Sequence, residues 1–160
     1  MVGLGLSQED IWNALEEVKD PEIPILSIID LKIVRSVEIR DDAVTVQITP
    51  TFVGCPALDM IAGAIQDVLI AKGIKTVNVR KDFALQWSTD MLDSEVREKL
   101  RLFGIAPPSP TGNVEIELPT VCPYCSSPRT QLENSFGATL CKQIYYCNSC
   151  LQSFEKFKSL

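Results

Sequence analysis

Four of the six cysteines form two Cys-x-x-Cys pairs near the C-terminus, a pattern well suited to holding a metal. Cys122-Pro-Tyr-Cys125 comes first, and Cys147-Asn-Ser-Cys150 follows after 21 intervening residues. Each pair favours a tight turn that directs two sulfurs toward one point, and zinc is the metal most often held in this way. Four thiolates complete a tetrahedron and leave no open position for a substrate. The spacing therefore predicts a structural metal rather than a catalytic one.

The first pair taken alone also matches a glutaredoxin-like redox motif. That motif needs a βαβ context and a helix that begins at its first cysteine. Ser126, Ser127 and Pro128 would interrupt such a helix, and a matching pair lies downstream, so metal binding is favoured. A unit this small depends on metal to supplement its core. The predicted apolar core of the unit consists of Tyr145, Tyr146, Phe154 and Phe157.

Cys55 is the strongest single candidate for a functional residue outside the paired cysteines. It directly precedes a predicted helix, where free backbone N–H groups and the helix dipole favour a thiolate. A sulfur with a lowered pKa suits transient binding of a metal or cluster, although Asp59 would oppose the shift. The equally weighted alternative is a buried cysteine that acts as a small hydrophobic residue.

Three further side chains are candidates with open alternatives. Asp20 and Glu22 flank a proline and could form a carboxylate pair that faces the Cys55 loop. Turn formation is the favoured alternative, because aspartate before proline commonly stabilises a turn. Cys141 is a fifth sulfur near the paired cysteines. It could replace one of the four ligands, act with Cys55, or remain a core thiol.

The composition argues against several classes of function. The chain has 160 residues, enough for one core and a small appended unit, and a net charge of -6. Nucleic-acid binding is disfavoured because phosphate contacts need a basic face. The absence of histidine removes histidine triads, histidine metal ligands and imidazole acid–base schemes. We predict no membrane span and no secretory signal, and the cysteine usage favours a reducing, cytoplasmic setting.

Capping residues and apolar periodicity predict the elements that position these side chains. Ser7 and Asp10 begin a first helix that ends before Asp20, and residues 21–24 form a rigid extended loop. The pattern then predicts a hairpin over 33–39 and 44–48, a helix from Pro56 to Gly73, a strand with an extension through Val77, Val79, Phe83, Leu85 and Trp87, and a helix over 93–103.

This order indicates an α+β fold, in which helices cover one face of a small sheet and a four-cysteine zinc ribbon follows. A linker is marked by Pro107, Pro108, Pro110 and Gly112. We therefore predict an α+β domain over residues 1–106, a linker with an edge strand over 107–120, and the ribbon over 121–160.

Several motifs in combination resemble a known family over nearly the whole chain. They are Asp20-Pro-Glu-Ile-Pro24, Ser27-Ile-Ile-Asp-Leu31, Ile33-Val34, Thr49-Pro-Thr-Phe-Val-Gly-Cys-Pro56, Trp87-Ser-Thr-Asp90, Gly104-Ile-Ala-Pro-Pro108, Phe136-Gly137 and Cys141-Lys142. The first four are similar to those of SufT-like iron–sulfur assembly domains. With the four-cysteine ribbon, the set resembles the phenylacetate-degradation protein D (PaaD) family.

The resemblance implies an accessory subunit, not an enzyme, of the bacterial phenylacetyl-CoA epoxidase system in aerobic phenylacetate degradation. It implies a role in maturing or inserting the iron–sulfur cluster of the reductase component, with a structural zinc and a transient cluster. The implied partners are the epoxidase complex, above all that reductase, and the iron–sulfur assembly machinery, with neither nucleic acid nor membrane. A homo-oligomer remains open.

Carried over by position, the resemblance places Asp20, Glu22 and Cys55 on the family's functional loops. Cluster handling by Cys55 thereby gains weight over core filling. One departure is that the family usually has glycine where Lys32 stands, so we expect this loop to be less able to adopt a positive φ.

Another class of function stays open beside the accessory role. The chain could be a redox-active oxygenase subunit that carries its own iron–sulfur cluster on the C-terminal cysteines. A nucleic-acid-binding ribbon is a third interpretation, which the acidic net charge disfavours.

Overall fold

The structure is a computed structural model that describes residues 6–41, 43–110 and 119–160. The chain divides into two compact units between Trp87 and Ser88. The elements of the first unit are α1 (Gln8–Glu16), β1 (Val34–Arg40), β2 (Ala43–Ile48), α2 (Ala57–Ala71) and β3 (Thr76–Lys81). Those of the second are a 3-10 helix (Thr89–Met91), α3 (Ser94–Leu102), β4 (Ile105–Ala106), β5 (Thr130–Asn134), β6 (Lys142–Cys147) and β7 (Ser153–Phe157).

The first unit contains a three-stranded sheet with the strand order β1-β2-β3. β1 and β2 form the predicted antiparallel hairpin, and α2 connects β2 to β3, which runs parallel to it. Alternate residues of β2 (Val44, Val46 and Ile48) are fully buried, and α1 and α2 contact the strands and each other. The predicted α+β class is confirmed. Among the described residues, no helix is long and apolar enough to cross a membrane.

Both helices of this unit begin where the sequence predicts. α2 also ends before Gly73 as predicted, whereas α1 ends at Glu16, earlier than the predicted end just before Asp20. Ser7 Oγ accepts a hydrogen bond from Asp10 N at 3.1 Å, and Asp10 Oδ2 accepts one from Ser7 N at 2.7 Å, which completes a capping box. Pro56 is the N-cap of α2. Gly73, with φ of 95°, follows the end of that helix in the left-handed conformation that glycine adopts without strain.

Two predictions about local backbone are wrong. Residues 21–24 are not extended, because Asp20 Oδ1 accepts hydrogen bonds from Glu22 N at 2.8 Å and Ile23 N at 2.9 Å and so closes a turn. The third strand ends at Lys81 instead of continuing through Phe83, which is 58% exposed. Trp87 is nevertheless buried, and its Nε1 donates to Leu31 O at 2.7 Å.

The expectation for the Lys32 loop is also wrong. Lys32 adopts a φ of 55°, the conformation that glycine would take without strain. Its N donates to Ile29 O at 2.9 Å and the next residue, Ile33, donates from N to Ile28 O at 3.0 Å. These two bonds hold the turn against a conformational cost of about 1 kcal/mol for a residue with a side chain.

The second unit is a four-stranded sheet in the order β4-β7-β6-β5. β4 runs parallel to β7, and the other neighbours are antiparallel. α3 begins after Asp93, whose Oδ1 accepts from Val96 N at 3.0 Å, and it ends before Gly104, at φ of 86°. This helix contacts β4, so it groups with the ribbon rather than with the first sheet. The predicted domain boundaries stay a prediction, and most of the predicted edge strand lies outside the described residues, within 111–118.

Candidate metal centre and thiol site

The two cysteine pairs lie on turns with the same backbone geometry. In the first, Ser126 N donates to Cys122 O at 2.9 Å, and in the second, Leu151 N donates to Cys147 O at 2.9 Å. Ser126 and Leu151 have φ of 59° and 61°. Each turn therefore curls back on its first cysteine, which brings two sulfurs together as the spacing predicts.

The four sulfurs form one cage. The Sγ atoms of Cys122, Cys125, Cys147 and Cys150 all lie within 4.8 Å of one another. Across the two turns, Cys122 Sγ lies 3.7 Å from Cys150 Sγ, and Cys125 Sγ lies 3.6 Å from Cys147 Sγ. A tetrahedron with zinc–sulfur bonds of about 2.3 Å has edges of about 3.8 Å. The donor set and spacing therefore fit a single tetrahedral metal ion.

The backbone of the second turn favours negative charge on one sulfur. N–H groups of Cys150 and Ser149 lower the pKa of Cys147 to about 6, with Ser149 N at 3.4 Å from the sulfur. Burial and the neighbouring sulfurs raise the pKa of Cys150 to about 12. Metal binding must therefore displace protons from some of these thiols, while one is already prepared as a thiolate.

The core beneath the cage contains part of the predicted aromatic set. Phe154 is buried with Cys122 and Cys147, and Tyr145 packs against them with its ring centroid 5.8 Å from that of Phe154. Phe157 is also buried, and Tyr146 is half-buried. Because ligands and core share side chains, the metal and the apolar packing stabilise the same structure.

The geometry matches neither a glutaredoxin-like motif at Cys122 nor a role for Cys141 as a replacement metal ligand. Within residues 119–160 the regular structure consists of β5, β6 and β7, and no helix begins at Cys122. Cys141 is half-buried and does not belong to the four-sulfur group. Its Sγ lies 3.1 Å from Thr139 Oγ1.

Sequence reasoning missed four polar residues around the cage and one aromatic contact. Hydrogen bonds between the two turns involve Ser127, Arg129, Asn148 and Ser149. The serines beside each pair were the available signal, but pairing them requires the folded turns. Tyr124 contacts Gly104 so closely that a Cβ there would lie 2.9 Å from its hydroxyl. The φ of 86° at Gly104 is the stronger reason for glycine there, since it strains any residue with a side chain.

Cys55 lies outside the carboxyl end of β2, in the loop that leads into α2. In open sheets with parallel strands, ligand sites form at such strand ends. The thiol is half-exposed. Burial raises its pKa, the charges of Glu22 and Asp20 raise it further, and the N–H groups of Ala57 and Leu58 lower it without compensating. The expectation of a lowered pKa is wrong because burial and the acidic neighbours outweigh the helix N-terminus.

The structure brings Asp20, Glu22 and Cys55 together, since both carboxylates act electrostatically on the thiol. Asp20 is also the turn-forming residue of the favoured alternative, because its Oδ1 accepts the two backbone bonds described above. Asp59 instead pairs with Lys81 at the end of β3. The acidic field at the thiol therefore comes from the 20–22 loop.

The raised pKa predicts the pH dependence of Cys55 alkylation. A thiol with a raised pKa is mostly protonated near neutral pH, so its reaction with iodoacetamide should keep accelerating on the alkaline side of an ordinary cysteine. Glu22→Gln removes a charge that raises the pKa and should increase the neutral-pH rate. Peptide-resolved mass spectrometry of metal-loaded protein measures the Cys55 alkylation rate of wild type across pH and of Glu22→Gln at neutral pH. Glu133→Gln is the control, because it makes the same charge change in the other compact unit. Equal rates in Glu22→Gln and wild type would contradict the assignment.

Two family models match the chain, and each covers a different part of it. Residues 8–80 match the model described as "Iron-sulfur cluster assembly protein", and residues 106–158 match "PaaD zinc beta ribbon domain". Together with the four-sulfur cage, these matches define the class of protein: an iron–sulfur-assembly-type α+β domain joined to a zinc β-ribbon.

A relative that spans both parts identifies the family. The chain is 39% identical over 153 residues to a putative 1,2-phenylacetyl-CoA epoxidase subunit of Escherichia coli strain K12, covering 94% of this chain and 92% of that protein. The chain belongs to the PaaD family of epoxidase subunits. It is also 37% identical over 99 residues to "Fe-S protein maturation auxiliary factor" of Porphyromonas gingivalis, covering 59% of this chain and 90% of that one.

Solved structures with the same fold cover somewhat more than half of the chain. A conserved hypothetical protein from Thermotoga maritima is 31% identical with a TM-score of 0.52, covering 59% of this chain and 94% of that one. A domain of unknown function from Bacillus anthracis is 23% identical with a TM-score of 0.53, covering 58% and 90%. The latter likeness concerns the fold alone.

Proposed function

We propose that this chain is a cytoplasmic accessory factor of the bacterial phenylacetyl-CoA epoxidase system. Its role is to mature or insert the iron–sulfur cluster of the reductase component, without turnover of its own. The names of its relatives support the two halves of this proposal, since one is called an epoxidase subunit and the other an iron–sulfur maturation factor. The observation that carries it is the half-exposed Cys55 thiol within the charge field of Glu22 and Asp20.

The electrostatics of this site suit a transient ligand. A bare thiolate beside two carboxylates is disfavoured, and the pKa of Cys55 is raised accordingly. An iron ion reverses that balance, because its positive charge attracts the thiolate and both carboxylates. Cys55 then loses its proton to solvent when iron binds and regains it when the cluster leaves. Asp20 and Glu22 shape the site in this scheme, and Cys55 is the sulfur ligand.

The partner would approach the end of the first sheet where Cys55 lies. Thr49 Oγ1 donates to Asp82 O at 2.9 Å, which joins the loop before Cys55 to the loop after β3. Exposed apolar side chains on these loops and on the first turn of α2 are Phe52, Val53, Met60, Phe83 and Leu85. Apolar side chains gathered at one end of a small unit support contact with another protein.

The ribbon has a separate role in the proposal. Its four cysteines hold a structural zinc, and its exposed apolar residues, including Tyr124 and Leu151, offer a further docking surface. Sulfur pairs 3.6 and 3.7 Å apart surround a space suited to one ion rather than to a cluster of several irons. This spacing favours a single bound ion over a resident cluster.

The proposal predicts that the epoxidase reductase needs this chain to acquire its cluster. The epoxidase components should be produced with and without it, and the iron content, visible absorption and activity of the purified complex compared. We expect a large loss of reductase iron and activity without the chain, and recovery when it is supplied. Full iron content and activity in its absence would refute the proposal.

The second candidate function is a redox subunit that carries a cluster on the four C-terminal cysteines. The four-thiolate donor set supports it, because thiolates also ligate iron, whereas the sulfur spacing fits a single ion better. Metal analysis and visible absorption of anaerobically purified protein separate the two. We expect about one zinc per chain and no colour, as a closed four-thiolate zinc site requires. Stoichiometric iron, with colour abolished by Cys147→Ser, would favour the redox subunit instead.

A further inference from the structure

Four residues that are not metal ligands join the two cysteine turns through hydrogen bonds. Ser127 Oγ lies 2.7 Å from Ser149 Oγ. Arg129 Nε donates to Ser149 Oγ at 3.1 Å, and Arg129 Nη2 donates to Asn148 O at 3.2 Å. The Arg129 backbone adds two bonds, from its N to Ser127 Oγ at 3.1 Å and from Asn148 N to its O at 2.9 Å. We call Ser127, Arg129, Asn148 and Ser149 the clasp.

The clasp connects the parts of the chain that must separate before the metal can leave. Each turn contributes two sulfurs, and the Cys122–Cys150 and Cys125–Cys147 sulfur contacts run from one turn to the other. Ser127 follows Cys125 by two residues, and Ser149 directly precedes Cys150. Ser149 N also donates to Cys147 Sγ at 3.4 Å. A bond between the two serines therefore restrains the positions of three ligands at once.

We propose that the clasp, centred on Arg129, retains the metal by holding the two turns at the separation at which four sulfurs close on one ion. Arg129 is a positioning residue, because it acts on the metal only through the turns. The planar guanidinium donates in two directions at once, to a hydroxyl and to a carbonyl, which the single ammonium of lysine cannot reproduce in the same geometry. The proposal is independent of the maturation role and of which divalent ion occupies the cage.

The test is the rate of zinc transfer from the loaded, full-length protein to an excess of the chromogenic chelator 4-(2-pyridylazo)resorcinol. Arg129→Lys and Arg129→Gln should both release zinc about tenfold faster than wild type, the effect of roughly two lost side-chain hydrogen bonds. Ser149→Ala removes one oxygen bonded by both Ser127 and Arg129, and should accelerate release severalfold. Loaded with Co²⁺, all variants should keep the tetrahedral thiolate absorption spectrum of wild type.

Two control variants test whether faster zinc release comes from loss of the clasp, from loss of a positive charge, or from lower overall stability. Arg101→Gln makes the same charge change on α3, where Arg101 pairs with Glu98, and should release zinc at the wild-type rate. Glu155→Gln breaks the ion pair with buried Lys142 in the ribbon sheet and should lower the thermal midpoint of unfolding. Its zinc release should nevertheless stay slower than that of the Arg129 variants.

The relative rates of zinc release decide between the clasp and these two alternatives. Wild-type release from Arg129→Lys, with fast release from Arg129→Gln, would assign retention to charge and overturn the clasp. Release from Glu155→Gln as fast as from the Arg129 variants would assign it to stability and overturn the clasp as well. Should the Arg129 variants fail to load, Ser149→Ala decides: severalfold faster release supports the clasp, and a wild-type rate overturns it.

Discussion

Replacement of Cys122 by serine is expected to abolish metal binding and unfold the β-ribbon. Cys122 is a buried member of the four-sulfur group, and its side chain also belongs to the ribbon core. Structural zinc contributes an apparent binding free energy of about 10–16 kcal/mol, comparable to the whole stability of a domain of about 5–15 kcal/mol. The measurement is metal content by mass spectrometry together with hydrogen exchange of the β5–β7 amides, which should lose protection.

Cys141→Ser is the matched control for this result. Cys141 lies outside the four-sulfur group, so its replacement should leave one metal per chain and normal exchange protection. In Cys122→Ser, the amides of the β1–β3 sheet should remain protected, because that sheet belongs to the other compact unit. A Cys122→Ser protein with full metal content and a protected ribbon would show that the cage is not the metal site.

Cys55→Ser should have the second large effect, on the partner rather than on the protein itself. Serine is nearly isosteric, so the stability and zinc content of the chain should change little. A hydroxyl is a poor ligand for iron compared with a thiolate, so the mutant should fail to mature the reductase. The reductase produced with Cys55→Ser should contain little iron and show little visible absorption compared with the wild-type combination.

Asp59→Asn is the control for charge changes near this site. Asp59 lies on α2 and pairs with Lys81, and its charge is not among those that shift the Cys55 thiol. We expect it to support maturation normally, whereas Glu22→Gln should impair it. Normal reductase iron with Cys55→Ser would mean that the thiol has no role in cluster handling. Loss of zinc in the same variant would instead indicate a folding defect.

The sequence predicts those parts of the fold that depend on local rules. Ser7 and Gly73 mark helix ends through capping and positive φ, and the alternation around Val44 and Val46 reflects a strand with one buried face. Phe83 shares the parity of β3, but Asp82 Oδ1 accepts from Ala84 N and turns the chain out of the sheet. Periodicity cannot detect that local competition for the backbone.

The candidate sites also divide into features that the local sequence predicts and features that depend on distant segments. The cysteine cage follows from spacing, because each Cys-x-x-Cys turn forms locally. The raised pKa of Cys55 does not, since it depends on burial and on the distant carboxylates of Asp20 and Glu22. Arg129 was equally hidden, because its two side-chain partners, Asn148 and Ser149, lie on the other turn. Interactions between distant segments require the tertiary structure.

The buried Trp87 and the tyrosines of the ribbon have a practical consequence for spectroscopy. Both tryptophans, Trp12 and Trp87, lie in the first unit, whereas Tyr124, Tyr145 and Tyr146 lie in the second. Fluorescence excited selectively in tryptophan therefore reports on the unit that contains Cys55. The tyrosine bands of the second-derivative absorbance spectrum, which separates them from tryptophan, report on the second unit. Chelation of the metal and loss of the first unit's structure can thus be followed as two optical signals in one unlabelled sample.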